Sequence, residues 1–348
     1  MMKRTYIKRC FLYVVIILSM SFSNSQASSL SITFQGVGLT LGNSREANGI
    51  RINFIDSGVE KVNGLNLTLW KPKDNLDFVI NGAALGIVGP EAMEINGLAL
   101  GGVGVVAERI KGLSLGTIGI TTTQIKGIAI GGIGIANDGL EGLAIGGIGI
   151  ANHDMSGIAI GGVGIANHDM SGIAIGGIGI ANHDLNGIAI GGIGVANNNV
   201  NGITLGGIGV ANQDLNGIAI GGIGVANEDV NGIIIGGVGV ASEDLDGIAI
   251  GGIGAGCQDV NGVAIGGVGI GADDFTGLAL GGVRVIVKHL TGLGIGGYCR
   301  AQRSLTGLSI GIFNYTSYLN GVQIGLLNYC RNNPRGLKLL PIINVHFD

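Results

Sequence analysis

From Ile95 to Ile295 every fifth residue is apolar, 41 positions in succession, and a glycine followed by an aliphatic residue returns every 15 residues from Gly82 to Gly307. One well-kept unit reads Gly157-Ile-Ala-Ile-Gly-Gly-Val-Gly-Ile-Ala-Asn-His-Asp-Met-Ser171. A period of five matches neither the 3.6 of a helix nor the 2.0 of a single flat strand. Three fives make one 15-residue unit, which predicts a three-sided β-solenoid coil with one inward aliphatic residue per side. The turns then fall at Gly131-Gly132, Ala136-Asn137 and Glu141-Gly142. A unit this small buries its apolar side only against its neighbours, so its length must stay constant. Ile190 lies in the inward row on this reading, and His183 lies at a polar corner. Asn137, Asn152, Asn167, Asn182, Asn197, Asn212 and Asn227 would stack as a ladder whose amides bond along the stack.

One feature of the pattern strains the three-sided coil. Aliphatic residues also stand two places before two of the three period-five positions, as in Ile128 with Ile130 and Ile133 with Ile135. Residues two apart on a strand face the same way, so up to five large side chains would crowd one narrow coil. The alternative is a tight hairpin at Gly131-Gly132 that pairs Ile130 with Ile133 and Ile128 with Ile135, gathering all four on one face. Successive hairpins would close into a symmetric barrel. A conventional outer-membrane barrel is disfavoured, because aromatic girdles are missing.

Composition narrows the class to all-β. Of 348 residues 71 are glycine, four or five of them in each unit, and each would cost about 1 kcal/mol in a helix interior. Alternation of these glycines with Ile, Val and Leu argues for ordered strands rather than a disordered Gly-rich chain. Four stretches differ in character. Residues 1–27 read as a cleaved signal peptide, with Lys3, Arg4, Lys8 and Arg9 before a short apolar run and Ser25-Gln26-Ala27 at the cleavage site. Residues 28–96 are divergent N-terminal repeats with one 18-residue step, Gly64 to Gly82, where Trp70-Lys71-Pro72-Lys73-Asp74 suggests a protruding loop. Residues 97–297 are the regular array. Residues 298–348 bring Tyr298, Tyr315, Tyr318 and Tyr329, a 14-residue step from Gly307 to Gly321, and a basic balance. Such atypical ends read as caps over exposed strand edges.

Charge is segregated along the chain: Gly127 to Val283 holds 14 acidic residues and no Lys or Arg, while Arg284 to Asp348 holds seven Lys and Arg against one acid. An acidic array disfavours nucleic acid as a partner, and the basic end suits anionic envelope components. Asp154, Asp169, Asp184, Asp214, Asp229, Asp244, Asp259 and Asp274 hold one position in their units, so parallel stacking would align their carboxylates as a candidate calcium row. No unit carries the calcium-binding nonapeptide of β-roll proteins. His153, His168 and His183 also recur in three consecutive units; such a row could bind a transition metal, but the near identity of these units accounts for the recurrence by shared ancestry without a ligand role. Three cysteines outside the signal segment, Cys257, Cys299 and Cys330, fall at different unit positions, which argues against a disulfide framework. No nucleophile, base and orienting group assemble into a catalytic set, and no cofactor motif is present.

The segments Asn320-Gly-Val-Gln-Ile-Gly-Leu-Leu-Asn-Tyr329 and Gly336-Leu-Lys-Leu-Leu-Pro-Ile-Ile-Asn-Val-His-Phe347 resemble bacterial envelope surface-repeat proteins with units of the form NGxQIGLxN. The hairpin arrangement is similar to the β-flower fold. The resemblance spans residues 49–348 and implies an envelope location, with no catalytic residues to carry over. The expectation is a non-enzymatic, exported structural or adhesive surface protein at the outer membrane, cell surface or periplasm. The alternative is a membrane-associated β protein that holds lipid or forms a pore.

Overall fold

A computed structural model describes residues 29–73 and 77–347. The signal-peptide segment therefore lies outside the described residues, as does Asp74 of the Trp70 loop. The described chain is all-β and forms two compact units, one ending at Gly147 and one beginning at Ile148. In the first, β1 (Ser29–Phe34) and β2 (Val37–Gly42) pair antiparallel. There follow β3 (Glu46–Asn53), β4 (Lys61–Thr68), β5 (Val79–Gly86), β6 (Glu91–Gly101), β7 (Gly104–Gly116), β8 (Gly119–Gly131) and β9 (Gly134–Gly146), in parallel succession from β2 onward.

The second unit keeps the same step through β10 (Gly149–Gly161), β11 (Gly164–Gly176), β12 (Gly179–Gly191), β13 (Gly194–Gly206), β14 (Gly209–Gly221), β15 (Gly224–Gly236), β16 (Gly239–Gly251), β17 (Gly254–Gly266) and the long β18 (Gly269–Ile310). It ends with β19 (Phe313–Cys330) and with β20 (Leu339–His346) antiparallel against it. Through the regular coils, residues within the ladder pair with those 15 places on: Ile150 with Ile165, Asn152 with Asn167, Met155 with Met170. This is a β-solenoid.

The hairpin-built barrel does not form. Ile130 pairs in parallel with Ile145, not with Ile133. The tight hairpin turn would need left-handed backbone at its glycines, and neither Gly131 nor Gly132 has it. Left-handed backbone occurs instead at Gly127 and Gly142, with φ of 136° and 135°, where the coil turns a corner. In the coil of residues 149–163 the three bends fall where His153 drops out of the ladder, at Gly157 with φ of 136°, and at Gly162-Val163. The glycine at this corner is required twice over. On Gly172 a Cβ would sit 2.0 Å from the Gly157 carbonyl oxygen of the neighbouring coil, besides straining a φ of 134°.

The third side of the coil corrects the period-five assignment. Ile150 and Met155 point inward as expected, but Ile160 does not, and Ile190 in the same row is 37% exposed. The inward residues of one coil are Ile150, Asn152, Met155, Ala159 and Gly161. Space decides the outcome: Ala159 is fully buried, and a Cβ on Gly161 would meet the Gly164 carbonyl oxygen at 2.6 Å and Ile165 Cγ1 at 2.8 Å. An interior already holding Ile and Met has no room for a third large side chain, so strand alternation sends Ile158 and Ile160 outside. Ile190→Asp is therefore expected to be tolerated by the fold, where the period-five row predicts collapse.

The asparagine ladder forms over part of its expected length, inside the coil rather than at its rim: the Asn137 amide has no hydrogen-bond partner, and Asn227 accepts only from the Asn212 backbone N–H. Asn152, Asn167, Asn182 and Asn197 each donate Nδ2 to the next Oδ1 at 3.1–3.2 Å, ending on Asn212. Irregular steps are absorbed outside the ladders. Gly64 still pairs with Gly82, so the three extra residues lie in the connection after Thr68, where Trp70 is exposed. The 14-residue step of β19 appears as a register shift between Ala301 and Ser304. Near the start of the first unit the interior is polar: buried Arg51 pairs with Asp56 and donates to Asn66 Oδ1 at 2.7 Å, and Asn66 donates to Asp56 at 2.8 Å.

Candidate functional site

Outside the coils two surfaces of opposite character emerge. The polar one follows the first bend, at His153. Asp154 pairs in register with Asp169, and Asp169 with Asp184; Asn199 interrupts the row, which resumes through Asp214, Asp229, Asp244, Asp259 and Asp274. The structure thus brings the predicted carboxylates into one line on the outer surface. Beside them His153, His168 and His183 stack with ring centroids 4.7 Å apart and planes within 5°. Each Nδ1 meets Oδ1 of the following aspartate, at 2.9 Å, 3.0 Å and 3.2 Å.

The second surface is aliphatic. Ile158, Ile160 and Val163 point out from one coil, and the same positions recur as Ile173, Ile175 and Ile178, then Ile188, Ile190 and Ile193. Exposure at these rows reaches about half in several coils, as at Ile178 with 48% and Ile223 with 53%. Summed over the second unit this is on the order of 1,000–2,000 Å² of apolar surface, whereas the largest patch on an ordinary monomer is roughly 300–600 Å². In the first unit Ile52, Leu67, Leu85, Leu100, Leu115 and Ile130, from six successive coils, line an outer groove of about 710 Å³.

Sequence reasoning missed this surface. Its signal was the paired aliphatics two residues apart, read as crowding within the coil rather than as an outward face.

The thiols do not form a centre. Cys257, Cys299 and Cys330 are all free. Burial pushes Cys299 up to about 12 and raises Cys257 and Cys330 as well, so none offers a thiolate at neutral pH. In the C-terminal repeats Tyr315 stacks on Tyr329 at 5.2 Å, and the Arg300 guanidinium lies 5.4 Å from the Tyr315 ring centre. No helix among the described residues is long and apolar enough to cross a membrane, a statement that does not bear on strands. No family model, curated protein or solved structure matches the chain.

Proposed function

We propose that this β-solenoid is a non-enzymatic, exported surface-repeat protein that works structurally or adhesively through the aliphatic outer face of its coils. The observation that carries the reading is the outward register of Ile158, Ile160 and Val163 and their repeats. An apolar face of that extent in water calls for a partner surface. The exposed corner bearing Asp154 and its repeats keeps water on the other side of the coil. The resemblance of Asn320–Tyr329 to envelope surface-repeat units supports the location.

Adsorption of the purified chain to alkyl-coated beads tests the reading. Serine at Ile158, Ile173, Ile188 and Ile203 together should reduce retention while leaving the strand content unchanged; equal retention would remove the aliphatic face from the function.

A second reading, lipid held at a membrane surface, is favoured by the apolar groove over Ile52, Leu67 and Leu85 in the first unit. Flotation with neutral phosphatidylcholine vesicles discriminates the two. Flotation abolished by Leu85→Asp supports lipid holding, and a chain that stays at the bottom of the gradient supports structural adhesion.

A further inference from the structure

Beyond the aliphatic face, the histidine stack carries a chemistry of its own. We propose that His168, Asp169 and His183 form a surface site for a divalent transition-metal ion of the zinc and nickel type, bridging β11 and β12. One ligand atom from each of the three lies within 4.8 Å of the others. Metal–nitrogen and metal–oxygen bonds near 2.0–2.2 Å require donors roughly 3.0–3.5 Å apart, so the three must converge by an ångström or more. The two imidazoles and the carboxylate are half-exposed, which leaves their side-chain torsions free to make that adjustment.

Parallel pairing supplies what a chance surface pair of histidines lacks. The residues on either side of the histidines are locked in register, Asn167 with Asn182 and Asp169 with Asp184, and the two rings held between them sit 4.7 Å apart and 3° from parallel before any ion arrives. Asp169 is within reach of both: its own neighbour is His168, at 3.0 Å, and the next coil supplies His183. Asp184 is less available, because its Oδ1 already accepts from Asn199 Nδ2 at 2.6 Å. A set of two imidazoles and one carboxylate suits zinc, nickel or copper, whereas calcium prefers six to eight oxygens. One ion per chain follows, since His168 belongs to both neighbouring pairs in the stack. Bound metal would also tie adjacent coils together and so raise the melting temperature.

Isothermal titration of the purified chain with Zn²⁺, followed by melting, tests the site. The expected result is a single saturable site at micromolar zinc and a raised melting temperature, with no response to the same concentration of calcium. His168→Ala and His183→Ala should each weaken binding by about tenfold or more, Asp169→Asn by a smaller factor, and His153→Ala and His289→Ala little. All these histidine positions in the stack are exposed, and an unchanged metal-free melting curve verifies that each variant folds. No binding below millimolar zinc, binding undiminished in His168→Ala, or binding only as two chains per ion would overturn the site.

Discussion

At the residue scale, the interior is decided by size and by hydrogen bonding rather than by hydrophobicity alone. Ala159 and Gly161 face inward beside Ile150 and Met155, whereas Ile234 takes the place of Ala159 where Val225 and Val230 are the other inward aliphatics, and Asn152, a polar residue, is buried because the next coil completes its amide. Past Asn212, whose Nδ2 turns to Thr204 Oγ1, the row continues only through the Asn212 backbone N–H to Asn227 Oδ1; Ser242 follows, and Asn227 Nδ2 is left without a partner. Ser242→Asn should therefore add a rung and raise stability by about 1 kcal/mol. Asn182→Ala should cost roughly 1–3 kcal/mol, because it strands the amides on both sides. Denaturant melts of the two variants measure both; a loss in the first case would contradict the inward ladder. Cys299 supplies a pH prediction. Its thiol, ordinarily near 9, is pushed up to about 12 by burial. Between those values the unfolded chain releases its proton while the folded chain keeps it, so this residue's contribution to stability is complete below pH 9 and lost as the pH rises toward 12. Alkylation by iodoacetamide at pH 8 should leave Cys299 unmodified in the folded chain and modify it after denaturation.

At the element scale, one 15-residue coil was largely legible from the chain. Its length, its glycine corners and the rows of Ile150, Met155 and Asn152 all follow from periodicity. What was not legible is the facing of the third side, because Ile158 and Ile160 carry the same apolar character whether they face in or out. Only the packing volume left by Ile150 and Met155 chooses between them. The hairpin alternative failed on a backbone property, the sign of φ at Gly131, Gly132 and Gly142, that residue identity alone does not reveal. The histidine stack was visible as a recurrence, but its metal-binding geometry needed the parallel register. The aspartate row makes an electrostatic prediction at this scale. Like charges about 5 Å apart repel appreciably near a protein surface, and roughly 0.1 M monovalent salt brings the screening length to about 10 Å. The melting temperature should rise with added sodium chloride, and millimolar calcium should add little beyond its ionic strength. A melting temperature indifferent to salt would contradict an aligned row at Asp214, Asp229 and Asp244.

At the scale of the whole molecule, the two units share one design, an interior in which rows of large aliphatic side chains such as Ile120 and Ile150 are packed beside rows of small ones such as Ala129 and Ala159, with further aliphatic rows turned outward. Their terminal strands differ from the repeats in the way strand edges need: β1 pairs antiparallel with β2, and β20 closes on β19. The central claim is that the aliphatic rows form the outer, working face. A cysteine scan in a background with Cys257, Cys299 and Cys330 replaced by alanine tests it most directly, by following modification with a small water-soluble maleimide. Ile188→Cys, Ile190→Cys and Ile193→Cys should react quickly in the folded chain, and Ile180→Cys and Ala189→Cys should react only after unfolding. Protection of Ile190→Cys to the same degree as Ile180→Cys would put the third row inside and contradict the account.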